Sequence, residues 1–193
     1  MKHVGLFGGT FDPPHMGHLL IAKYLLHETT LNEIWLIPTY IPPHKEVAAT
    51  ASKHRLKMLQ LMIENEAEQI YVCPIEIDRG GTSYTIDTVT ILQESYPSYT
   101  FSFIIGGDQV NYLPQWKNID KLKQMIQFIG IERPNVSWQH VPFVKKVNVP
   151  LINISSTKVR EMIQANRPFE HYVPEKVYQY IKEHQLYGYR KHP

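Results

Sequence analysis

The sequence predicts an α/β fold in which a doubly wound parallel sheet is covered by helices on both faces. Short apolar runs typical of buried strands alternate with longer amphipathic segments along most of the 193 residues. The chain opens with a strand followed by a helix, and its glycine-rich and hydroxyl-rich segments come directly after predicted strands. Such alternation favours parallel strands joined by helical crossovers. Ligands of these sheets bind beyond the carboxyl ends of the strands.

The predicted strands are short apolar runs that end at glycines, prolines or polar residues. They lie at residues 4–7, 34–38, 70–73, 100–105, 128–131 and 151–154. The fourth run stops abruptly at Gly106 and Gly107. The second leads into the proline-rich stretch 38–43, which is too short to separate domains and is typical of an active-site loop.

The predicted helices carry apolar residues at intervals of three and four. They lie at residues 16–27, 53–66, 86–94, 120–125, 156–165 and 174–184. In the second helix, Leu56, Leu59 and Ile63 share one face, which we expect to be buried. Ser52 is the predicted N-cap of that helix, because a serine oxygen can accept a hydrogen bond from the first turn.

Composition indicates an ordinary folded domain. Hydrophobic residues make up 43% and charged residues 20% of the chain, which is typical of globular rather than disordered proteins. A net charge of +2 gives no support to nucleic-acid binding, and no stretch approaches the roughly 18 apolar residues of a membrane helix. The single Cys73 cannot form an internal disulfide, so we expect a reducing cytoplasm. At this length we predict one domain over residues 1–193.

The most informative segment is residues 8–18, GGTFDPPHMGH, between the first predicted strand and helix. Its glycines allow a ligand close to the main chain, while Pro13 and Pro14 set a rigid entry to a helix whose N-terminus favours anions. His15 and His18 are three positions apart, so their imidazoles project from the same side. The pattern favours a phosphate site. The alternatives are incidental histidines after a turn, or zinc, for which two imidazoles are too few ligands.

A second segment, residues 154–160 with the sequence ISSTKVR, combines a strand end, three hydroxyl residues and a helix start with two cations. A phosphate chain suits this arrangement. In the alternative interpretation, Ser155 or Ser156 only caps the helix and Lys158 is a solvated charge. Arg160, one turn into the helix, can point towards an anion. Two anion-binding helix starts on one edge of the sheet are what a triphosphate requires.

Nucleotidyl transfer matches this pair of segments. Negative charge rearranges over the oxygens of an α-phosphate in its five-coordinate transition state, and histidines supply donors to those oxygens. The attacking phosphate is already ionised at neutral pH, so positioning and electrostatics can dominate over general-base catalysis. The chain lacks the Gly-x-x-x-x-Gly-Lys-Ser/Thr motif, which argues against a P-loop kinase or ATPase.

With these residues in view, the sequence resembles the nucleotidyltransferase superfamily that carries a His-x-Gly-His signature, here HMGH at residues 15–18. Within it, the chain is similar to the bacterial nicotinate-mononucleotide adenylyltransferases. The likeness covers nearly the whole chain through residues 8–18, 81–85, 106–108 and 154–160. It implies a Rossmann-like fold of the nucleotidyltransferase type, and residues 82–85 with Trp116 carry the narrower substrate assignment.

The resemblance implies an ATP-binding set that draws on both segments. Its members are Gly8, Gly9, Thr10, Phe11, His15, His18, Gly106, Asp108, Ser156, Thr157 and Arg160. The implied catalytic residues are His15, His18 and Arg160. Asp108 is expected to bond the ribose hydroxyls, although a residue at this position can also be a helix N-cap.

The candidates for binding the nicotinate nucleotide are His44, Lys45, Ser83, Tyr84, Thr85, Trp116 and Arg133. The amides of Tyr84 and Thr85 can bind a nicotinate carboxylate if they lie at a helix start, whereas Ser83 or Thr85 could merely cap that helix. Trp116 can stack on a pyridine ring or be an ordinary buried residue. The basic members are candidate contacts for the acceptor phosphate, although loop cations are often only solvated.

The implied reaction joins AMP from ATP to nicotinate mononucleotide in NAD biosynthesis, giving nicotinate adenine dinucleotide and pyrophosphate. Mg²⁺ is expected to be held mainly by ATP phosphates and water, without a protein ligand. The expected partners are these two small molecules, with neither nucleic acid nor membrane, and the sequence leaves assembly into a homo-oligomer open. The alternatives are another acceptor, such as nicotinamide mononucleotide, phosphopantetheine or a small alcohol phosphate, and a noncatalytic nucleotide sensor.

Overall fold

A parallel sheet forms the centre of the protein. The computed structural model describes residues 1–43, 48–66, 68–132, 138, 141–150 and 153–190, without the side chain of Asp108. Within these residues the strands are β1 (Lys2–Gly9), β2 (Glu33–Pro38), β3 (Ile70–Val72), β4 (Tyr99–Gly106), β5 (Gln127–Glu132) and β6 (Val144–Asn148). They lie in the order β3-β2-β1-β4-β5-β6, and every neighbouring pair is parallel. The predicted α/β fold is confirmed.

The helices connect and cover these strands. In the described part of the chain they are α1 (Met16–Glu28), α2 (Ser52–Ile63), α3 (Ile75–Arg79), α4 (Thr85–Ser95), α5 (Gly107–Val110), α6 (Ile119–Met125), α7 (Ser156–Gln164) and α8 (Glu175–Glu183). None of the helices in this part is both long and apolar enough to cross a membrane.

Two hydrophobic cores lie on opposite faces of the sheet, because neighbouring residues of a strand point to opposite sides. In β4, Phe103 and Ile105 belong to the core that includes α4 and α6, while Ile104 belongs to the core that includes α1, α2, α7 and α8. In β1, Leu6 belongs to the core that includes α4 and α6, and Phe7 belongs to the other core. The helices therefore cover both faces, as the sequence predicts.

The order of the strands locates the site. β1 pairs with β2 on one side and with β4 on the other, so the chain leaves the middle of the sheet in opposite directions. A crevice opens at the carboxyl ends of two such strands. Residues 8–9 end β1 and residues 106–107 end β4 and begin α5, so both glycine pairs lie at this crevice.

Two predicted helix details are wrong. The buried face of α2 contains Arg55, Met58, Leu59 and Met62, so the expected face is shifted by about one position. Leu59 is buried as predicted, but Leu56 and Ile63 are only partly buried. The predicted face did not include an arginine; Arg55 can be buried there because each of its guanidinium nitrogens donates a hydrogen bond. The N-cap of α2 is Ala51, and Ser52 is the first helical residue.

The last predicted strand is also wrong in position. The sixth strand is β6 at Val144–Asn148, and residues 153–154 belong to no strand, while 151–152 lie outside the described residues. β6 is an edge strand with Lys145 and Lys146 exposed, so it lacks the continuous apolar run of an interior strand.

Candidate active site

The histidine segment forms a tight loop and the first turn of α1. We call residues 10–18 the His loop. His15 is the N-cap of α1 and has an extended backbone, with only 3% of its surface exposed. Its imidazole stacks on that of His18, with 3.7 Å between ring centroids and 25° between the planes. The predicted placement of both imidazoles on one side of the helix start is confirmed.

A hydrogen bond from the main chain determines the tautomer of a neutral His18. The His15 N–H donates to His18 Nδ1 at 3.2 Å, and the His18 N–H donates to the His15 carbonyl at 2.9 Å. The Phe11 ring packs edge-on against the His18 imidazole at 4.8 Å between centroids. Because Nδ1 accepts a hydrogen bond, a neutral His18 carries its proton on Nε2 and presents that nitrogen as a donor.

The start of α7 is attached directly to the His loop. Arg160 Nη1 donates to the Asp12 carbonyl at 2.7 Å across 148 positions of sequence. Ser156 Oγ donates to the Pro13 carbonyl at 2.8 Å, and Arg160 Nη2 donates to Thr157 Oγ1 at 3.3 Å. Ser155 is the N-cap, since its Oγ accepts from the Lys158 N–H. The two predicted phosphate-binding segments therefore converge.

The buried carboxylate of Asp12, within the His loop, bonds this loop to two distant parts of the chain. Asp12 is 3% exposed, and its Oδ1 accepts from the Tyr187 hydroxyl at 2.7 Å. Its Oδ2 accepts from the Ala49 N–H at 2.7 Å and the Thr50 N–H at 3.4 Å. Burial, followed by the negative charge of Asp12, raises the pKa of Tyr187, so its hydroxyl remains a donor. Sequence reasoning missed these supports, because Tyr187 is 175 positions from Asp12.

A cavity of about 160 Å³ lies at the crevice between β1 and β4. Among the predicted site residues, it is lined by Gly8, Gly9, Thr10, Ser83, Tyr84, Thr85, Gly106 and Trp116. Thr39, Pro42 and Pro43 also line it, in agreement with the prediction that residues 38–43 form an active-site loop. Further lining residues that sequence reasoning missed are Glu76, Gln109 and Lys117. The cavity thus joins the end of β1 to the predicted acceptor residues, whereas His15, His18 and Arg160 lie outside its lining.

The start of α4 faces this cavity with open backbone donors. The N-cap is Tyr84, without a capping side chain, and the amides of Thr85 and Ile86 have no intrahelical acceptor at this position of a helix. Ser83 is not the cap, because its Oγ accepts from the Tyr40 N–H at 2.9 Å. A helix start in this state favours a negatively charged group.

Trp116 forms another part of the cavity wall. Its ring is partly buried and packs edge-on against Phe103 and Phe128, at 5.7 and 6.2 Å between centroids. The neighbouring Lys117 lies over the Tyr84 ring, with its Nζ 4.3 Å from the centroid. Trp116 is therefore not an ordinary fully buried residue. We call Ser83, Tyr84, Thr85 and Trp116 the acceptor face.

Glu76 places a buried carboxyl group beside the acceptor face. It is 5% exposed and accepts from the Thr88 hydroxyl at 2.8 Å. Burial raises its pKa, while hydrogen bonds from Thr88 and Ser83 and the charge of Arg79 act in the opposite direction. Its position in the short helix α3, which the apolar pattern does not predict, explains why sequence reasoning missed it.

Some predicted residues fall outside the structural description. His44, Lys45, Arg133 and the side chain of Asp108 are not among the described atoms. The backbone of Asp108 is the second residue of α5, whose N-cap is Gly106, so the capping alternative for Asp108 is wrong. In the part of the chain that the structure describes, no three His, Cys, Asp or Glu side chains are grouped as metal ligands.

Comparison with known proteins assigns this site to a family. A family model described as cytidylyltransferase-like matches residues 6–162. The chain belongs to this family. It is 48% identical over 189 residues to a probable nicotinate-nucleotide adenylyltransferase of Oceanobacillus iheyensis, covering 98% of both chains. It is 43% identical to the nicotinate-nucleotide adenylyltransferase of Bacillus subtilis, covering 97% of this chain and 99% of that relative.

The fold of the family is also seen in solved structures. The nicotinic acid mononucleotide adenylyltransferase of Plasmodium falciparum, complexed with NaAD, has a TM-score of 0.84 and 24% identity to this chain, covering 98% of this chain and 99% of that one. Its complex with APC has a TM-score of 0.83 and 23% identity, with the same coverage. At these identities the likeness establishes a shared nucleotidyltransferase fold.

Proposed function

We propose that this protein transfers AMP from ATP to nicotinate mononucleotide, giving nicotinate adenine dinucleotide, a precursor of NAD, and pyrophosphate. One observation carries the proposal: the starts of α1 and α7 meet at the His loop, whose first residue, Thr10, also lines the cavity beside Tyr84 and Trp116. A polyphosphate site is thus adjacent to a second site of suitable size and chemistry. The activities named for the sequence relatives support the same reaction.

On the ATP side, donors surround the path of the phosphates. His18 Nε2–H donates to an α-phosphate oxygen, because its Nδ1 is occupied by the main chain. His15 stacks on His18 and adds a second imidazole, and Arg160 with Ser156 and Thr157 binds the β- and γ-phosphates at the start of α7. Gly8, Gly9, Phe11, Gly106 and Asp108 bind the adenosine portion and the product's pyrophosphate link.

On the acceptor side, the ring lies against Trp116 and its carboxylate meets the amides of Tyr84 and Thr85. Of these, the Tyr84 N–H donates to the Thr82 carbonyl at 3.1 Å and exchanges that partner for the carboxylate. The open start of α4 favours this negative charge. A nicotinamide ring would direct its NH₂ group or carbonyl at the same donors without a charge, so the acid is preferred. His44, Lys45 and Arg133 are the proposed contacts for the acceptor phosphate.

Mg²⁺ accompanying ATP would be held mainly by phosphate oxygens and water, without a side-chain ligand from this chain. The donors near the phosphate path are imidazoles, hydroxyls and a guanidinium, which suit phosphate oxygens better than they suit Mg²⁺. When bound, the ion offsets negative charge on the leaving pyrophosphate.

The transfer is an in-line displacement. A 5′-phosphate oxygen of the acceptor forms a bond to the α-phosphorus of ATP while the bond from that phosphorus to the bridging oxygen breaks, and pyrophosphate leaves with the electron pair. The chain contributes orientation and charge stabilisation, and no covalent enzyme intermediate is needed.

Product analysis by mass after incubation with Mg-ATP and a panel of mononucleotides tests this function. We expect nicotinate adenine dinucleotide and pyrophosphate with nicotinate mononucleotide, and much slower product formation with nicotinamide mononucleotide or phosphopantetheine. Faster turnover of another acceptor would assign that acceptor as the substrate instead, and ATP binding without product would identify a nucleotide sensor.

We also propose one domain over residues 1–193 and a cytoplasmic location. The single Cys73, which cannot form an internal disulfide, supports this location.

A further inference from the structure

A buried arginine links three parts of the main chain around the site. Arg55, in α2, is 1% exposed. Its Nη1 donates to the Thr10 carbonyl at 2.6 Å, its Nη2 to the Thr39 carbonyl at 2.7 Å and its Nε to the Thr50 carbonyl at 3.2 Å. Because the guanidinium is planar and rigid, three bonds to separate carbonyls fix their relative positions.

The three carbonyls belong to the two sides of the proposed reaction. Thr10 begins the His loop, on the ATP side. Thr39 and Thr50 stand before and after the segment that carries His44 and Lys45, the proposed contacts for the acceptor phosphate. One side chain therefore connects Thr39, in the cavity wall, and Thr50 to the ATP loop.

Other contacts join the same segments. The Thr39 N–H donates to the Gly9 carbonyl at 2.9 Å, and Asp12 Oδ2 accepts from the amides of Ala49 and Thr50. Burial lowers the pKa of Arg55, and the negative charge of Asp12 acts in the opposite direction. The charge of the buried guanidinium is thus partly balanced by a carboxylate that is itself part of the His loop.

The His loop depends on such external contacts. Phe11, between Thr10 and Asp12, has a φ of 51°, in the left-handed region that is unfavourable for an aromatic residue. A loop in this conformation persists only where its surroundings hold it. The bonds from Arg55 and Arg160 to the carbonyls on either side of Phe11 supply that support.

We propose that Arg55 is a positioning residue for the transfer step: it holds Thr39, and with it the cavity wall at residues 39–43, in register with the ATP loop, so that the attacking oxygen meets the α-phosphorus in line. This inference rests on the proposed function. Misplacement of reacting groups by about 1 Å can cost about a hundredfold in rate, so small shifts of either segment matter.

Arg55→Lys tests this role, because lysine keeps the charge but its single ammonium group cannot span three carbonyls in one plane. We expect kcat to fall by about tenfold to a hundredfold, with smaller changes in KM for ATP and for nicotinate mononucleotide. Hydrogen exchange at the amides of Ala49 and Thr50 should become faster. The matched control is Arg167→Lys, an exposed arginine outside the site, for which no change is expected.

The outcomes separate positioning from a purely structural role. A lower melting temperature with wild-type kcat per folded molecule would overturn the inference, as would a change confined to KM. If Arg55→Lys does not fold, native-state hydrogen exchange of the unaltered protein decides: the amides of Thr39, Ala49 and Thr50 should open together, with the same denaturant dependence. If these amides open with different denaturant dependences, Arg55 does not hold the three segments together as one unit. A wild-type enzyme that makes no product would refute the proposed function alone, because the exchange experiment needs no turnover.

Discussion

The His loop and the acceptor face are held in place by different kinds of contact. Side chains from α2 and α7 donate to the carbonyls of residues 10, 12 and 13, so distant parts of the chain determine the conformation of the His loop. The acceptor face is built from the open start of α4 and from Trp116, whose ring packs against Phe103 and Phe128. Among the described residues, its side-chain bond to a distant segment is the one that Ser83 accepts from the Tyr40 N–H. The difference suggests that the ATP side tolerates little change, whereas the acceptor side can alter its specificity through local substitutions.

The largest effect is expected from His18→Ala. The variant loses one donor to the transition state, so kcat should fall by about 10²–10³, with smaller changes in KM. Steady-state kinetics with both substrates varied measures this. His27→Ala is the matched control, because it removes an exposed imidazole from the other end of α1. Near-normal turnover of His18→Ala would show that this residue has no catalytic role. It would also contradict the idea that the ATP side tolerates less change than the acceptor side.

A smaller effect on the ATP side is expected from Arg160→Lys. Lysine cannot donate to both the Asp12 carbonyl and Thr157 Oγ1, and it loses the fork that suits phosphate. Bonds of this charged type contribute about 1.5–3 kcal/mol, so kcat/KM for ATP should fall by about tenfold to a hundredfold. KM for nicotinate mononucleotide should change little. A rise in KM for nicotinate mononucleotide as large as the rise in KM for ATP would contradict separate roles for the two regions.

The sequence predicted the ATP-binding residues better than it predicted the residues that hold the His loop in place, for a physical reason. Local patterns report residues within one turn or strand, and the histidine segment and the start of α7 are such patterns. Asp12 contacts Ala49 across 37 positions, Arg55 contacts Thr10 across 45 and Tyr187 contacts Asp12 across 175, and periodicity does not encode such contacts. Arg55 could have been noticed, because it shares the helical face of Met58 and Leu59, where a cation needs internal partners.

The same limit applies to the fold. Strands that are continuous apolar runs were predicted, including the edge strand β3, whereas β6 carries two exposed lysines and was missed. The short helices α3 and α5 are set by tertiary packing and have too few residues for a recognisable period. Two residues that line the cavity, Glu76 and Gln109, lie in these short helices, so that part of the site could not be predicted from the sequence.

On the acceptor side, Trp116→Ala should raise KM for nicotinate mononucleotide by about twofold to tenfold, because an aromatic stack contributes about 0.5–1.5 kcal/mol. KM for ATP should stay near the wild-type value. Trp116→Phe keeps a ring and should recover part of the affinity, and Tyr112→Ala, at an exposed aromatic residue, is the control. A rise in KM for ATP of similar size would show that Trp116 supports the ATP side instead.

The smallest effect concerns Glu76, the buried acid beside the acceptor face, and appears in stability. An acid with a raised pKa in the folded state keeps its proton over a pH range in which the unfolded chain has released it, so the free energy of unfolding falls as pH rises through that range. Glu76→Gln removes this titration while retaining an oxygen that can accept from Thr88. Denaturant unfolding of both proteins from about pH 4 to pH 8 isolates the residue: the stability of the wild type relative to the variant should decrease with pH. An increase would mean that Glu76 is stabilised as a carboxylate, most directly by Arg79, and that the acceptor face is bordered by a fixed negative charge opposed to a nicotinate carboxylate.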